Sequence, residues 1–160
     1  MNAIHRILLT TDGSITTIIE ALTQKSVKVE TVLQKIVKAN EEIAKKLDIS
    51  EGEDVNYRVV YLKVGDEIYA KAISYAALKR LENSFKDDLM RADIPIGKIL
   101  KKHNIEARRE INWGTVIQDE KLAKEFGSEN TRILVRNYNI IHKGRILMNI
   151  TEFFPMEKFM

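Results

Sequence analysis

The stretch that most constrains this chain is Val55–Tyr75, VNYRVVYLKVGDEIYAKAISY. Two runs rich in β-branched and aromatic residues flank Gly65-Asp66. Val59, Val60, Tyr61 and Val64 precede the turn; Ile68, Tyr69 and Ile73 follow it. Glycine accepts the positive φ of a tight turn, so the segment reads as a β-hairpin. Arg58 interrupts the apolar pattern between Tyr57 and Val59. A guanidinium in a strand buried on at least one face needs an anionic partner. A neighbouring carboxylate or a ligand would serve, and the residues alone leave the two open.

The rest of the chain places helices between groups of strands. Residues 4–11 suit a final helical turn or an edge strand, with the helix preferred. Ser14 caps a helix over Ile15–Leu22, where Ile15, Ile18, Ile19 and Leu22 recur at helical spacing. Gly13 and the open amides before it suit either an anion or a plain cap. Ser26–Lys38 alternates as a half-buried strand, with Val27, Val29, Thr31 and Leu33 on one side. Glu41–Leu47 is a short amphipathic helix. Leu78, Leu81, Phe85 and Leu89 predict a helix over 76–92, and Pro95 opens another over 96–102. Glu106–Gln118 is a strand carrying Ile111, Trp113 and Val116. Asp119–Phe126 is a helix closed by Gly127. Thr131–His142 and Arg145–Pro155 form a last hairpin through Lys143-Gly144. Trp113, Phe153 and Phe154 are assigned to the core. About six strands and four or five helices give an α+β fold with one antiparallel sheet, in a single domain over residues 1–160.

The chain also echoes itself. EEIAKKLDISEGEDVNYRVVYLKVGDEIYAKAIS resembles EKLAKEFGSENTRILVRNYNIIHKGRILMNITEF, and the spacing from Ala44 to Gly65 equals that from Ala123 to Gly144. Each unit is a helix followed by a hairpin with an arginine, Arg58 or Arg136, in its first strand. Such a repeat implies a pseudo-twofold sheet.

Composition narrows the function. The 160 residues hold no Cys, which excludes disulfides and thiolate metal sites, and the three His at 5, 103 and 142 are too scattered for a histidine metal site. With 44% hydrophobic and 31% charged residues, no membrane-length apolar run and no signal segment, a cytoplasmic globular protein is expected. The net charge of +3 is spread over interleaved acids and bases, so nucleic acid is not the expected partner. Residues 41–50 resemble the middle of a helix-turn-helix. However, Glu51-Gly52-Glu53-Asp54 follows where a recognition helix would start, and acidic residues there repel phosphate.

The remaining candidates are charged residues in apolar strands. Arg58, Arg136 and Arg145 are open to structural or ligand pairing, whereas Arg108-Arg109 are expected to face solvent. Glu152, between apolar residues in NITEFFP, is either an arginine's partner or an acid with a raised pKa in an apolar pocket. These residue types suit a pocket for a small carboxylic acid.

Several stretches, taken in order, resemble the chorismate lyase family, which shares its fold with the ligand-sensing domains of GntR-type regulators. LLTTDGSIT at 8–16 is similar to the family's LL-x-x-D-S-M-T segment, with one extra residue. VNYRVVYLKVGDEIYAKAIS resembles the strand carrying the substrate arginine and its hairpin. IPIGKIL at 94–100 resembles T-P-L-G-x-x-L, and NITEFFP at 149–155 resembles the closing T-E-L-F-L-P strand. The resemblance implies a sheet of about six strands with helices packed on it and loops over a buried site. It implies conversion of chorismate to 4-hydroxybenzoate and pyruvate, with no metal or cofactor, feeding cofactor biosynthesis. Arg58 would hold the ring carboxylate of a small aromatic acid, assisted by backbone amides near Ile15 and Ile96. Glu152 would contact the para oxygen, which makes Arg58 and Glu152 the catalytic pair. Arg136, or Arg145, would meet the second carboxylate. Ile15 and Ile96 replace the family's Met and Leu, the segment after Pro155 does not match, and ILVRNYNIIHKG replaces a basic loop. The rival expectation is a sensing module that binds an aromatic or sugar acid without catalysis. Such modules follow a winged helix, which residues 1–13 are too short to hold.

Overall fold

Caps and tight turns cut this chain into short elements in the computed structural model, which describes residues 1–91 and 94–160. The helices are α1 (Ala3–Thr10), α2 (Ile15–Thr23), α3 (Glu41–Leu47), α4 (Asn83–Arg91), α5 (Ile96–Lys102) and α6 (Glu120–Phe126). The strands are β1 (Lys28–Lys38), β2 (Asp54–Val64), β3 (Glu67–Ala77), β4 (Arg108–Gln118), β5 (Arg132–His142) and β6 (Arg145–Pro155). Ser14 caps α2 as expected, its hydroxyl accepting from the Thr17 N–H. Asp119 caps α6, and Gly127 ends it with φ near 67°.

Six strands form one sheet in the order β1-β2-β3-β6-β5-β4, with every neighbouring pair antiparallel. The sheet consists of two copies of a strand–helix–hairpin unit meeting at β3 and β6. The register shift between Thr31 and Leu33 of β1 is matched by one between Ile111 and Trp113 of β4. The shift at Leu62/Lys63 is matched at Ile140/Ile141. Arg58 and Arg136 occupy equivalent places in β2 and β5, so the echo in the sequence is an architectural repeat.

The sheet has two covered faces. On the back, α3 packs over Val55 and Ala77, and α6 over Ile133 and Val135. On the front are two separate clusters. One joins Leu8, Ile15 and Ile19 to Val29, Val60 and Phe154; the other joins Phe85, Leu89 and Ile99 to Tyr138, Ile140 and Met148. The helices α1 and α2 therefore cover one half of the front face, and α4 and α5 the other. His5 ties the chain's ends together. Its Nδ1 accepts from the Asn2 N–H at 3.1 Å, so Nε2 carries the proton and donates to the Met156 carbonyl at 3.0 Å.

Several local expectations change. The sequence pattern predicts a helix over 76–92, but β3 continues to Ala77, paired with Val55, and a single 3₁₀ turn holds Leu78–Arg80. Sheet pairing outweighs the leucine spacing there, α4 starts at Asn83, and Ala92 lies outside the described residues. The β1 register shift turns Leu33 outward. Its counterpart in β4 leaves Trp113 48% exposed, so Trp113 is not core. Phe154 is fully buried, whereas Phe153 is half-buried. No helix among the described residues is long and apolar enough to cross a membrane.

Leu47, fully buried, anchors α3 to the back face. Leu47→Ala is expected to lower unfolding stability by about 2–5 kcal/mol, read from urea denaturation midpoints.

Candidate functional site

Between the two front clusters lies a pocket that is partly open to solvent. Strand pairing explains which side chains enter it. Residues directly opposite one another in an antiparallel sheet share a face. One such row runs Arg58, Ser74, Ile150, Tyr138 and Ile111 across β2, β3, β6, β5 and β4. The adjacent row runs Val60, Ala72, Glu152, Arg136 and Gly114. Arg58, Ser74, Ala72, Ile150, Glu152 and Tyr138 form the floor. The walls come from Ser14, Ile15 and Thr16 at the start of α2, and from Pro95, Ile96 and Gly97 at the start of α5.

Arg58 is 2% exposed and donates from Nη2 to the Ile94 carbonyl at 3.2 Å. It thus links β2 to the segment that leads into α5. Ile15 lies at the start of α2, whose first amides lack intrahelical acceptors and point toward the pocket end of the helix. Ile96 also lines the pocket, as the first residue of α5.

Glu152 sits opposite Arg136, and the two form a buried ion pair with Nε–Oε1 at 2.7 Å. The Tyr138 hydroxyl donates to Glu152 Oε2 at 3.1 Å. A carboxylate held by a guanidinium and a phenol is an acceptor, and two of its roughly four lone-pair sites are already used. The opposite possibility, a carboxylic acid isolated in apolar surroundings, does not match these partners.

The Arg136 side chain is fully buried and does not line the pocket. Its Nη1 donates to the Thr11 carbonyl at 2.6 Å, and its guanidinium carbon stands 4.8 Å from the Tyr138 ring centre. Arg136 therefore supports Glu152 and the end of α1 rather than a ligand carboxylate. The close approach of Leu9 to Gly114, directly opposite Arg136, seals this region: a Cβ at Gly114 would stand 3.3 Å from Leu9 Cδ2. Arg145 is exposed at the β5–β6 turn and borders a different cavity, with Arg80 and Lys143.

Arg109, expected to face solvent, is half-buried and lines the pocket. Its guanidinium carbon lies 6.0 Å from the Tyr138 ring centre. The available signal was alternation: Arg109 stands two residues before Ile111, on the inward side of β4. Its neighbour Arg108 is exposed and paired with Glu110 at 3.1 Å. His103 is half-buried against Asp88, and no group of three or more His, Cys, Asp or Glu side chains suited to a metal occurs among the described residues.

Burial raises the Tyr138 phenol above its ordinary value, and the Glu152 charge adds to the shift. Tyr138 is therefore a donor at neutral pH. A model of the family described as Rv2949c-like chorismate pyruvate-lyase matches residues 9–160. A Methanocaldococcus jannaschii protein named Putative lyase MJ0807 is 41% identical over 158 residues, covering 95% of this chain and 78% of that protein. The effector domain of PhnF from Mycobacterium smegmatis superposes with a TM-score of 0.73 at 13% identity, over 94% of this chain and 93% of that one. A GntR-family transcriptional regulator from Bacillus cereus gives 0.64 at 17% identity, over 84% and 94%. These two structures share the fold.

Arg136→Ala strands a buried carboxylate and is expected to cost about 3–5 kcal/mol in urea unfolding. A raised folded-state phenol pKa contributes stability that is present below the unfolded value, about pH 10, and is lost as pH rises above it. Tyr61, pushed up to about 12, acts in the same sense. Tyr138→Phe is expected to flatten the alkaline fall in the urea midpoint by up to about one proton's worth, or roughly 1.4 kcal/mol per pH unit.

Proposed function

Because the chain belongs to the Rv2949c-like chorismate pyruvate-lyase family, we propose that it is a lyase converting chorismate to 4-hydroxybenzoate and pyruvate. The observation that carries this reading is that Arg58 and Glu152, one from each half of the repeat, line a single pocket. Arg58 holds the ring carboxylate in a charge-assisted grip, with the first amides of α2 at Ile15 beside it. The backbone at Ile96 borders the same ligand. Glu152, kept as an acceptor by Arg136 and Tyr138, takes a hydrogen bond from the ring's C4 hydroxyl and fixes the ring in the plane of the pocket.

The reaction needs little more than this positioning. The C3–O bond to the enolpyruvyl group breaks and the C4 hydrogen is lost. That hydrogen passes to the methylene carbon of the departing side chain, so pyruvate leaves and the ring becomes aromatic. Atoms balance without a redox partner, and aromatisation drives the step. The protein's contribution is orientation and charge stabilisation. Glu152 and Arg58 are the catalytic residues of this scheme.

A second reading draws on the PhnF effector-domain fold: the pocket binds an aromatic acid and releases it unchanged. One experiment separates the two. Purified protein is incubated with chorismate, and 4-hydroxybenzoate and pyruvate are followed. Equimolar formation of both is expected, whereas a folded protein that yields neither supports the sensing reading. Arg58→Ala is expected to lower kcat/KM by about 2–4 kcal/mol in transition-state binding, or roughly thirty- to a thousandfold. A near-normal rate would make Arg58 structural.

A further inference from the structure

We propose that Arg109 is the second cation of the pocket, so that the site selects small six-membered-ring acids bearing two anionic groups. This rests on reading the pocket as an aromatic-acid site. Arg58 and Arg109 are the two cationic side chains in its lining. Arg136 is committed to Glu152 and Thr11, and Arg145 lies at a distant turn. The Nε of Arg109 is buried and has no hydrogen-bond partner among the described residues, while Nη1 reaches the Asp12 carbonyl only at 3.5 Å. Arg136 Nη2 is also buried without a partner among the described residues, but Arg136 does not line the pocket; at Arg109 the open donor belongs to a lining residue, where an anionic ligand would supply the acceptor.

The placement fits a dianion. Arg58 is on β2 and Arg109 on β4, four interstrand steps apart in the sheet order, or about 19 Å between backbones at ~4.8 Å per step. Both side chains line the same pocket, one from each half of the sheet, so that a single ring can present one charged group to each. Tyr138 lies under Arg109 and keeps its guanidinium over the ring face.

Gly97 makes the space. A Cβ there would stand 3.3 Å from Arg109 Nη2, tight enough that the guanidinium must shift by a few tenths of an ångström. Gly97 lies within α5, where alanine would favour the helix. A methyl group at this position therefore tests the clamp without weakening the local structure.

The test is calorimetric titration with two inert probes, 4-hydroxybenzoate and 3-(carboxymethoxy)-4-hydroxybenzoate. The second adds one carboxylate where the enolpyruvyl group of chorismate sits. Arg109→Gln is expected to weaken the dicarboxylate by about tenfold or more while changing the monocarboxylate less than about threefold. Retained monocarboxylate binding also shows that the variant folds. Gly97→Ala shifts the dicarboxylate in the same direction, and Arg58→Ala weakens both probes. Equal loss of both probes in Arg109→Gln, no loss of either, or a wild-type protein that fails to bind the dicarboxylate overturns the assignment. If the probes discriminate as expected but chorismate is not converted, the clamp stands and only the lyase reading falls.

Discussion

The buried pair between Arg136 and Glu152 holds the centre of this molecule together. It lies in the middle of the sheet, and Arg136 also grips the carbonyl that ends α1. A fully buried guanidinium is tolerated only when a carboxylate and further acceptors face it. That requirement fixes the register of β5 against β6, since Arg136 and Glu152 are directly opposite. It also fixes the α1–α2 connection over the front face, and with it the α2 end of the pocket. The same pair sets the chemistry of the floor, because a Glu152 occupied by Arg136 and Tyr138 presents acceptor lone pairs to whatever enters.

The internal repeat shows how one scaffold produces two different arginines. Arg58 and Arg136 are equivalent in the two hairpins, but their opposite neighbours differ. Arg58 faces Ser74, and Arg136 faces Glu152. With a hydroxyl opposite, Arg58 reaches across to the Ile94 segment and lines the pocket; with a carboxylate opposite, Arg136 closes on its own sheet. A serine in one copy and a glutamate in the other thus leave one arginine in the pocket lining and turn the other back onto the sheet. The paired β-bulges preserve the repeat while turning Leu33 and Trp113 to the outside.

Much of the fold was legible because its signals are local. The hairpins at Gly65 and Gly144, the cap at Ser14 and the glycine end at Gly127 all act within a few residues. Buried charges in the pocket lining were legible where charge broke an apolar pattern, as at Arg58 and Glu152. Arg109 was misplaced because Arg-Arg-Glu reads as a solvated edge, and one of its two arginines is. The helix expected over 76–92 starts later, at Asn83, because Ala76 and Ala77 pair with Asn56 and Val55, a non-local contact that leucine spacing does not report.

The sequence by itself determined the elements, their antiparallel class, the repeat, and that one arginine and one glutamate required burial with partners. These follow from side-chain period, backbone freedom at glycine and the cost of an uncompensated charge, all properties of short stretches. Only the tertiary structure decided which charges meet. Arg136 and Arg58 look alike in sequence, and what separates them is the side chain opposite on the next strand. Register across the sheet assigns that neighbour, and register is a property of the whole packed face rather than of any single strand.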